Sequence, residues 1–324
     1  MIVRNDWTFD EINAIYTTPL LDLVFTAAQV HRENASYAEV QISSLVSIKT
    51  GGCPEDCSYC PQAARYHTGV EVEPLMRTEK VLELARKAQE NGASRLCMGA
   101  AWREVRDNRD FDRVLEMVRE VNKLGMEVCC TLGMLNADQA RKLEEAGVYA
   151  YNHNIDTSRE DYGRIITTRT FDDRLETLQH VRNTRMTVCS GGIIGLGETV
   201  GDRVSMLQTL ATMKKHPESV SLNMLVRVRG TPLADAVPVP VFDMVRLIAT
   251  ARIIMPQSVV RISAGRTEMT ASDQALCFMA GANSLFIGEK LLTTPNPDLS
   301  EDRALFKELG LRPRPAFKAA VAQV

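Results

Sequence analysis

Three cysteines lie within eight residues in the segment Gly51-Gly52-Cys53-Pro54-Glu55-Asp56-Cys57-Ser58-Tyr59-Cys60-Pro61. Their spacing, C-x3-C-x2-C, allows Cys53, Cys57 and Cys60 to bind one metal group, and soft thiolates favour iron–sulfur clusters, zinc or Cu(I) over hard cations. A structural zinc site takes four protein ligands, and a 4Fe–4S cluster usually takes four thiolates. Because no fourth cysteine stands beside these three, the pattern predicts a 4Fe–4S cluster with one iron left open to a small molecule.

Five further cysteines are dispersed along the chain. They are Cys97, Cys129, Cys130, Cys189 and Cys277. The N-terminal residues lack the apolar core of a signal peptide, so we expect a cytoplasmic protein whose cysteines bind metals or catalyse rather than form disulfides.

The overall composition is that of an ordinary globular protein. The chain has 324 residues, 45% of them hydrophobic and 24% charged, with a net charge of −3. No basic field favours a nucleic-acid partner, and the apolar runs are too short and too often broken by charge to span a membrane.

A strand-then-helix rhythm begins near Glu39, after a helical stretch over residues 6–34. Eight short apolar runs predict strands at Val40–Lys49, Arg95–Gly99, Glu127–Leu132, Tyr149–Asp156, Met186–Gly191, Val220–Arg227, Val259–Ser263 and Ser284–Ile287. Amphipathic patterns between them predict helices at Thr78–Asn91, Asp110–Leu124, Asn136–Ala146, Phe171–Thr184, Thr199–Lys215, Phe242–Met255 and Glu268–Ala280.

Eight such units predict an α/β fold of the (β/α)8, TIM-barrel type. The alternative is a doubly wound open sheet, but this sequence has no G-x-G-x-x-G motif at the start of the first helix. We therefore expect one domain, with a helical lead-in over residues 1–38, the barrel over 39–290 and a C-terminal extension over 291–324 that wraps the surface or frays.

Alternate residues of a strand face opposite ways, and one register of these strands is unusually polar. It contains Ser43, Ser47, Lys49, Arg95, Cys97, Gly99, Glu127, Cys129, Thr131, Asn152, Asn154, Asp156, Thr187, Cys189, Gly191, Ser221, Asn223, Val259, Arg261 and Ser263. Buried polar groups are costly unless paired or ligating, so we expect a lumen that holds ligands. Cys129 lies in this polar register, and we expect it to be a ligand. Cys130 lies in the opposite, apolar register and Cys277 in a predicted helix, so we expect both to pack in the core.

These motifs resemble those of the radical S-adenosylmethionine enzymes. The resemblance rests on the C-x3-C-x2-C motif after a first barrel strand, with Tyr59 before the last cysteine, and on Gly191–Glu198. Within that superfamily the chain to about Asn296 looks like the biotin synthases. The segments that carry this closer likeness are Cys97–Trp102, Tyr151–Thr157, Asn223–Val226 and Arg261–Arg266.

The resemblance implies two clusters and two small-molecule sites. Cys53, Cys57 and Cys60 would hold the 4Fe–4S cluster, while Cys97, Cys129, Cys189 and Arg261 would hold a 2Fe–2S cluster. By residue type alone, Arg261 would be a hydrogen-bond or ion-pair partner, because guanidinium stays protonated in proteins. S-adenosylmethionine would contact Tyr59, Asn154, Asp156, Arg174 and Ile194, and dethiobiotin would contact Asn152, Asn154, Asn223, Thr293 and Thr294.

The implied activity is the radical insertion of sulfur into dethiobiotin to form biotin. S-adenosylmethionine would be cleaved at the 4Fe–4S cluster, with an electron from a flavodoxin- or ferredoxin-type donor, and the 2Fe–2S cluster would supply the sulfide. The resemblance also implies a homodimer. Two alternatives remain open: a related enzyme of the hydrogenase-maturation type, and a non-catalytic iron–sulfur or zinc module.

Overall fold

The computed structural model describes residues 3–316, which begin with two helices. Helices α1 (Phe9–Thr17) and α2 (Leu20–Asn34) are separated at Thr18 and Pro19. Both pack on the outside of the barrel, α1 mainly against α8 and α2 mainly against α9 (residues 200–211 and 241–254). The predicted helical lead-in is therefore present as two short helices.

A closed barrel of parallel strands follows and confirms the predicted (β/α)8 fold. Its strands are β1 (Glu39–Lys49), β2 (Arg95–Ala100), β3 (Glu127–Thr131), β4 (Ala150–Asn152), β5 (Thr187–Cys189), β6 (Gly192–Ile194), β7 (Ser219–Met224), β8 (Val259–Ile262) and β9 (Ser284–Ile287). The strands pair in the order β1-β2-β3-β4-β5-β7-β8-β9, with β6 also paired to β7, and β9 closes the ring against β1.

The remaining α-helices surround this barrel or follow it. They are α3 (Thr78–Glu90), α4 (Arg109–Lys123), α5 (Ala137–Ala146), α6 (Arg159–Ile165), α7 (Phe171–Arg182), α8 (Val200–Ala211), α9 (Val241–Ile254), α10 (Ala271–Met279) and α11 (Leu299–Leu309). The sequence pattern missed the short helix α6. It also placed the start of α10 too early, because Thr270 caps that helix and a 3-10 turn, Arg266–Glu268, precedes it.

The fifth predicted strand, Met186–Gly191, is shortened to β5, and a second short strand, β6, follows it after a break at Ser190 and Gly191. At this break a Cβ on Gly191 would lie 1.9 Å from the carbonyl oxygen of Ser221, so the backbones approach too closely for any side chain. Both pieces then pair with β7. The predicted fourth strand also ends early, at Asn152, before Asp156 turns into the left-handed region with a φ of 67°.

The chain after β9 does not fray within the described residues. Strands β10 (Lys290–Leu291) and β11 (Thr294–Pro295) form a small antiparallel hairpin, and β12 (Arg312–Pro313) pairs with the start of β1. Helix α11 is held by a buried ion pair between Arg266 and Asp302. The predicted extension thus wraps the barrel as far as residue 316, and residues 317–324 lie outside the described range.

Within the described chain we find no helix of sufficient length and apolarity to cross a membrane.

Candidate active site

The first set of thiols lies in the loop that follows β1. Gly51 and Gly52 lead the chain out of the strand with φ angles of 68° and 65°, a region that favours glycine. The loop then tightens, and the Cys60 N–H donates to the Cys57 carbonyl at 2.9 Å. As a result Cys53, Cys57 and Cys60 all line one cavity at the C-terminal end of the barrel strands.

Asp56 anchors this loop to the segment after α6. Its carboxylate accepts hydrogen bonds from the N–H groups of Thr167 and Thr168 at 2.9 and 3.2 Å, and from Thr168 Oγ1 at 2.9 Å. Burial raises the pKa of Asp56, but these hydrogen bonds outweigh burial and lower it to about 2. The cysteine loop is therefore fixed by a carboxylate that is ionised at neutral pH.

The surroundings of the first thiol set fit a cluster. Burial raises the pKa of Cys57 to about 11 and that of Cys60 to about 12, and binding to a metal would deprotonate both thiols. Arg169 Nη2 lies 4.0 Å from Cys57 Sγ. Its Nη1 is buried and has no hydrogen-bond partner among residues 3–316, whereas its Nε lies 3.7 Å from Glu55 Oε2 in an ion pair. Cluster sulfur atoms accept such N–H groups.

A lone metal ion fits less well. Within the part of the chain that the structure describes, no three His, Cys, Asp or Glu side chains are arranged around a single ion. In a 4Fe–4S cluster each thiolate binds a different iron, so the cysteines need not converge on one point. The arrangement of Cys53, Cys57 and Cys60 therefore fits such a cluster.

The second set of thiols lies deeper in the barrel, as the strand register predicted. Cys97 and Cys129 are direct partners across β2 and β3, and both line the cavity. Their shared hydrogen bond lowers the pKa of Cys97 and raises that of Cys129. Cys130 and Cys277, in contrast, pack in the main apolar core.

Cys189 and Arg261 complete this deeper group. Cys189 is fully buried and does not itself border the cavity, but Asn152 Nδ2 approaches its Sγ at 3.3 Å. Arg261 lines the cavity, and its Nη1 lies 3.7 Å from the same sulfur. The four residues predicted for a second cluster are therefore brought together, with a cation beside three thiols.

Asp156 lies on the cavity wall beside the first thiol set. Tyr59 donates its hydroxyl to Asp156 Oδ2 at 3.0 Å, and Arg174 Nη2 forms an ion pair with the same oxygen. Arg174 also donates from Nε to Tyr162 and from Nη1 to the Asn154 carbonyl, each at 2.8 Å. Each Nη of Arg174 retains a second N–H, which a carboxylate in the cavity can accept.

Three amides predicted to meet substrate also border the cavity. Asn152 Nδ2 donates to Asn154 Oδ1 at 3.2 Å, and Asn154 Oδ1 accepts from Ser221 Oγ at 2.8 Å. Asn223 is engaged at both ends, because it donates to the Gly192 carbonyl at 3.0 Å and accepts from the Ala264 N–H at 3.1 Å. Asn223 therefore ties strands together in addition to facing the cavity.

The last predicted contacts lie at the rim. Thr293 and Thr294 line the cavity from the β10–β11 hairpin, as expected. Ile194 is different: it is fully buried, and Ile193 rather than Ile194 lines the cavity. Ile193 continues the alternation of Cys189 and Gly191, so the polar register of this strand already indicates which isoleucine faces inward.

The resulting cavity measures about 330 Å³, within the range of small-molecule sites. Sequence reasoning missed two features of its wall, Arg169 and the Leu291–Leu292 pair. Arg169 lies in the loop between α6 and α7, within the connection that follows β4, and connections after barrel strands are where the functional residues of such barrels gather. This position after a barrel strand was the signal from which Arg169 could have been identified.

Comparison with known proteins gives a consistent result. The chain matches the Radical SAM superfamily over residues 47–210 and the Biotin and Thiamin Synthesis associated domain over residues 221–312. It is 64% identical over 316 residues to the biotin synthase of Cytophaga hutchinsonii, covering 98% of this chain and 94% of that one.

Solved structures share the fold at much lower identity. Methylornithine synthase superposes with a TM-score of 0.81 at 18% identity, covering 97% of this chain and 96% of its own. The FeFe-hydrogenase maturase of Carboxydothermus hydrogenoformans superposes with a TM-score of 0.78 at 14% identity, covering 95% of this chain and 76% of its own. These two show the barrel alone, whereas the 64% identity shows the family: the chain is an enzyme of the biotin synthase family, within the radical S-adenosylmethionine superfamily.

Proposed function

We propose that this enzyme inserts sulfur into dethiobiotin to form biotin. Cys53, Cys57 and Cys60 would hold a 4Fe–4S cluster, and Cys97, Cys129, Cys189 and Arg261 would hold a 2Fe–2S cluster. The observation that carries the proposal is that thiols of both sets line one cavity, with polar side chains between them. A radical enzyme without a sulfur-donating second cluster has no need of the deeper thiols.

When bound, the first cluster supplies the electron that cleaves S-adenosylmethionine, and the second supplies sulfide. The protein's own residues position and shield the reactants. The ion pair of Arg174 with Asp156, oriented by Tyr59, gives a rigid polar wall beside the first thiol set. We assign to this wall the ribose and methionine carboxylate of S-adenosylmethionine, with adenine along Ile193 and the backbone of Ile194.

Dethiobiotin would lie deeper, between the two thiol sets. Amide groups match the donor and acceptor pattern of its ureido ring, and Asn152 and Asn154 present such groups to the cavity. Thr293 and Thr294 stand at the rim, where their hydroxyls would meet the substrate carboxylate. Thr294 Oγ1 donates to the Leu291 carbonyl at 3.1 Å, so it would have to turn from that carbonyl to donate to the substrate. Apolar side chains of the wall, including Phe286, Leu291 and Leu292, exclude water from the space in which an alkyl radical would form.

Anaerobic incubation of the reconstituted enzyme with S-adenosylmethionine, a strong reductant and dethiobiotin tests this proposal. We expect biotin as the product and about six irons per chain, four from one cluster and two from the other. About four irons per chain and no biotin would favour an enzyme of the hydrogenase-maturation type. No cleavage of S-adenosylmethionine would favour a binding module without catalysis.

The family resemblance extends the proposal to partners. We infer a low-potential electron donor of the flavodoxin or ferredoxin type, a homodimer and a cytoplasmic location. The electron donor can be examined by reduction assays with purified donors, and the homodimer by the solution mass of the holoenzyme.

A further inference from the structure

The guanidinium of Arg261 makes most of its hydrogen bonds to protein oxygens. Nε donates to Ser284 Oγ at 3.0 Å, and Nη2 donates to Gln41 Oε1 at 3.0 Å and to Ser43 Oγ at 3.3 Å. A guanidinium has one hydrogen on Nε and two on each Nη. All the hydrogens of Nε and Nη2 are therefore engaged, and Nη1, 3.7 Å from Cys189 Sγ, is the nitrogen left for the thiol group.

The amide of Gln41 differs from the two serine hydroxyls because its accepting oxygen and its donating nitrogen cannot exchange roles. It is 1% exposed, and its Nε2 donates to Glu127 Oε2 across a long hydrogen bond of 3.4 Å. Glu127 in turn forms a buried ion pair with Arg95 at 2.7 Å. Turning the Gln41 amide over would set its NH2 against the Arg261 cation and its oxygen against the Glu127 carboxylate. Serine hydroxyls can rotate to donate or accept, whereas this amide can act in one sense alone.

We propose that Gln41 is a positioning residue that selects Nη1 of Arg261 as the nitrogen presented to a cluster on Cys97, Cys129 and Cys189. The inference rests on the proposed function, because it assumes that Arg261 faces a bound cluster. Gln41 acts through Arg261, and it does not border the cavity itself. The Phe286 ring, 4.7 Å from Arg261 Cζ, supports one face of the guanidinium but does not distinguish its two Nη atoms.

Removing the amide should release this orientation. In a Gln41→Leu variant one N–H of Nη2 loses its acceptor in a site closed to water, so the guanidinium gains by turning toward another oxygen or sulfur. Loss of a group that orients a metal ligand commonly weakens metal binding by about 10–100-fold. We expect a loss of that order in the retention of the second cluster, while the first cluster is unaffected.

The experiment compares Gln41→Leu with a matched control, Gln274→Leu. Gln274 is also a buried glutamine that accepts from an arginine, with its Oε1 3.0 and 2.9 Å from Nε and Nη2 of Arg266. It lies outside the cavity, so it reports the stability cost of the same substitution. Both variants are reconstituted anaerobically, and the visible circular dichroism and the rate of 2Fe–2S loss to a chelator are measured alongside the thermal midpoint.

The expected result is an altered dichroism and a roughly 10–100-fold faster loss of the second cluster in Gln41→Leu, with wild-type values in Gln274→Leu. Wild-type dichroism and cluster retention in both variants would overturn the inference. If Gln41→Leu fails to fold, Gln41→Met, which keeps an unbranched chain without the acceptor, carries the same expectation. A wild-type protein that binds no second cluster would remove the proposed function itself, and this inference with it.

Discussion

Replacing Gly99 with alanine is expected to weaken dethiobiotin binding without unfolding the barrel. Gly99 lies on β2 and lines the cavity. A Cβ at this position would come within 2.8 Å of Leu292 Cδ2, while the nearest atom of Leu45 is 4.0 Å away. The new methyl group therefore meets the hairpin that carries Thr293 and Thr294.

The magnitude follows from how this contact can be relieved. The clashing atom is the end of a side chain, so Leu292 can move, but its backbone is held at a φ of 55°, in the left-handed region. Turning such a side chain off its rotamer costs about 1 kcal/mol. Because the same hairpin carries Thr293 and Thr294, we expect this cost to appear in binding as roughly a fivefold rise in the Kd for dethiobiotin.

Titration calorimetry of the reconstituted enzyme measures this Kd with S-adenosylmethionine present. Leu292→Ala removes the clashing atom, so in its background Gly99→Ala should have little further effect, and the double-mutant cycle should give a coupling of about 1 kcal/mol. Gly163→Ala is the control, because a Cβ there meets nothing within 4 Å. Equal effects of Gly99→Ala with and without Leu292 would refute the reasoning.

Three further predictions concern the cysteines and a buried histidine. Cys129→Ala should abolish the 2Fe–2S absorption while Cys130→Ala retains it, and the reverse outcome would contradict the strand register. Cys53→Ala should abolish S-adenosylmethionine cleavage, measured as 5′-deoxyadenosine, even where the second cluster remains. Burial, aided by Arg252, lowers the pKa of His31 to about 3 from its ordinary 6.5. The unfolded state therefore binds the proton more readily, and stability present above pH 6.5 should fall by up to about 1.4 kcal/mol per pH unit toward pH 3. His31→Gln should lose this dependence in urea unfolding, and an unchanged slope would disprove it.

The features of this protein that its sequence predicts are those that depend on local periodicity. Eight strands with one polar register are a pattern of alternate residues, which depends on nothing beyond the strand itself. That pattern was enough to indicate the barrel and its polar lumen. It also separated Cys129 from Cys130, which the structure places in the lumen and in the outer core respectively.

Other features depend on contacts between distant segments, and no local pattern contains them. Gln41 and Arg261 meet across the closure of the barrel, 220 residues apart. Arg169 reaches Cys57 because the loop after α6 is tied to Asp56.

The three cysteines of the first loop were determined by the sequence itself. Their spacing keeps Cys53, Cys57 and Cys60 within one short loop, and the hydrogen bonds of Asp56 to Thr167 and Thr168 then fix that loop. What lies opposite them was decided by the tertiary structure alone. The hairpin after β9 brings the side chain of Leu292 over Gly99. This contact joins segments far apart in sequence, which periodicity cannot encode.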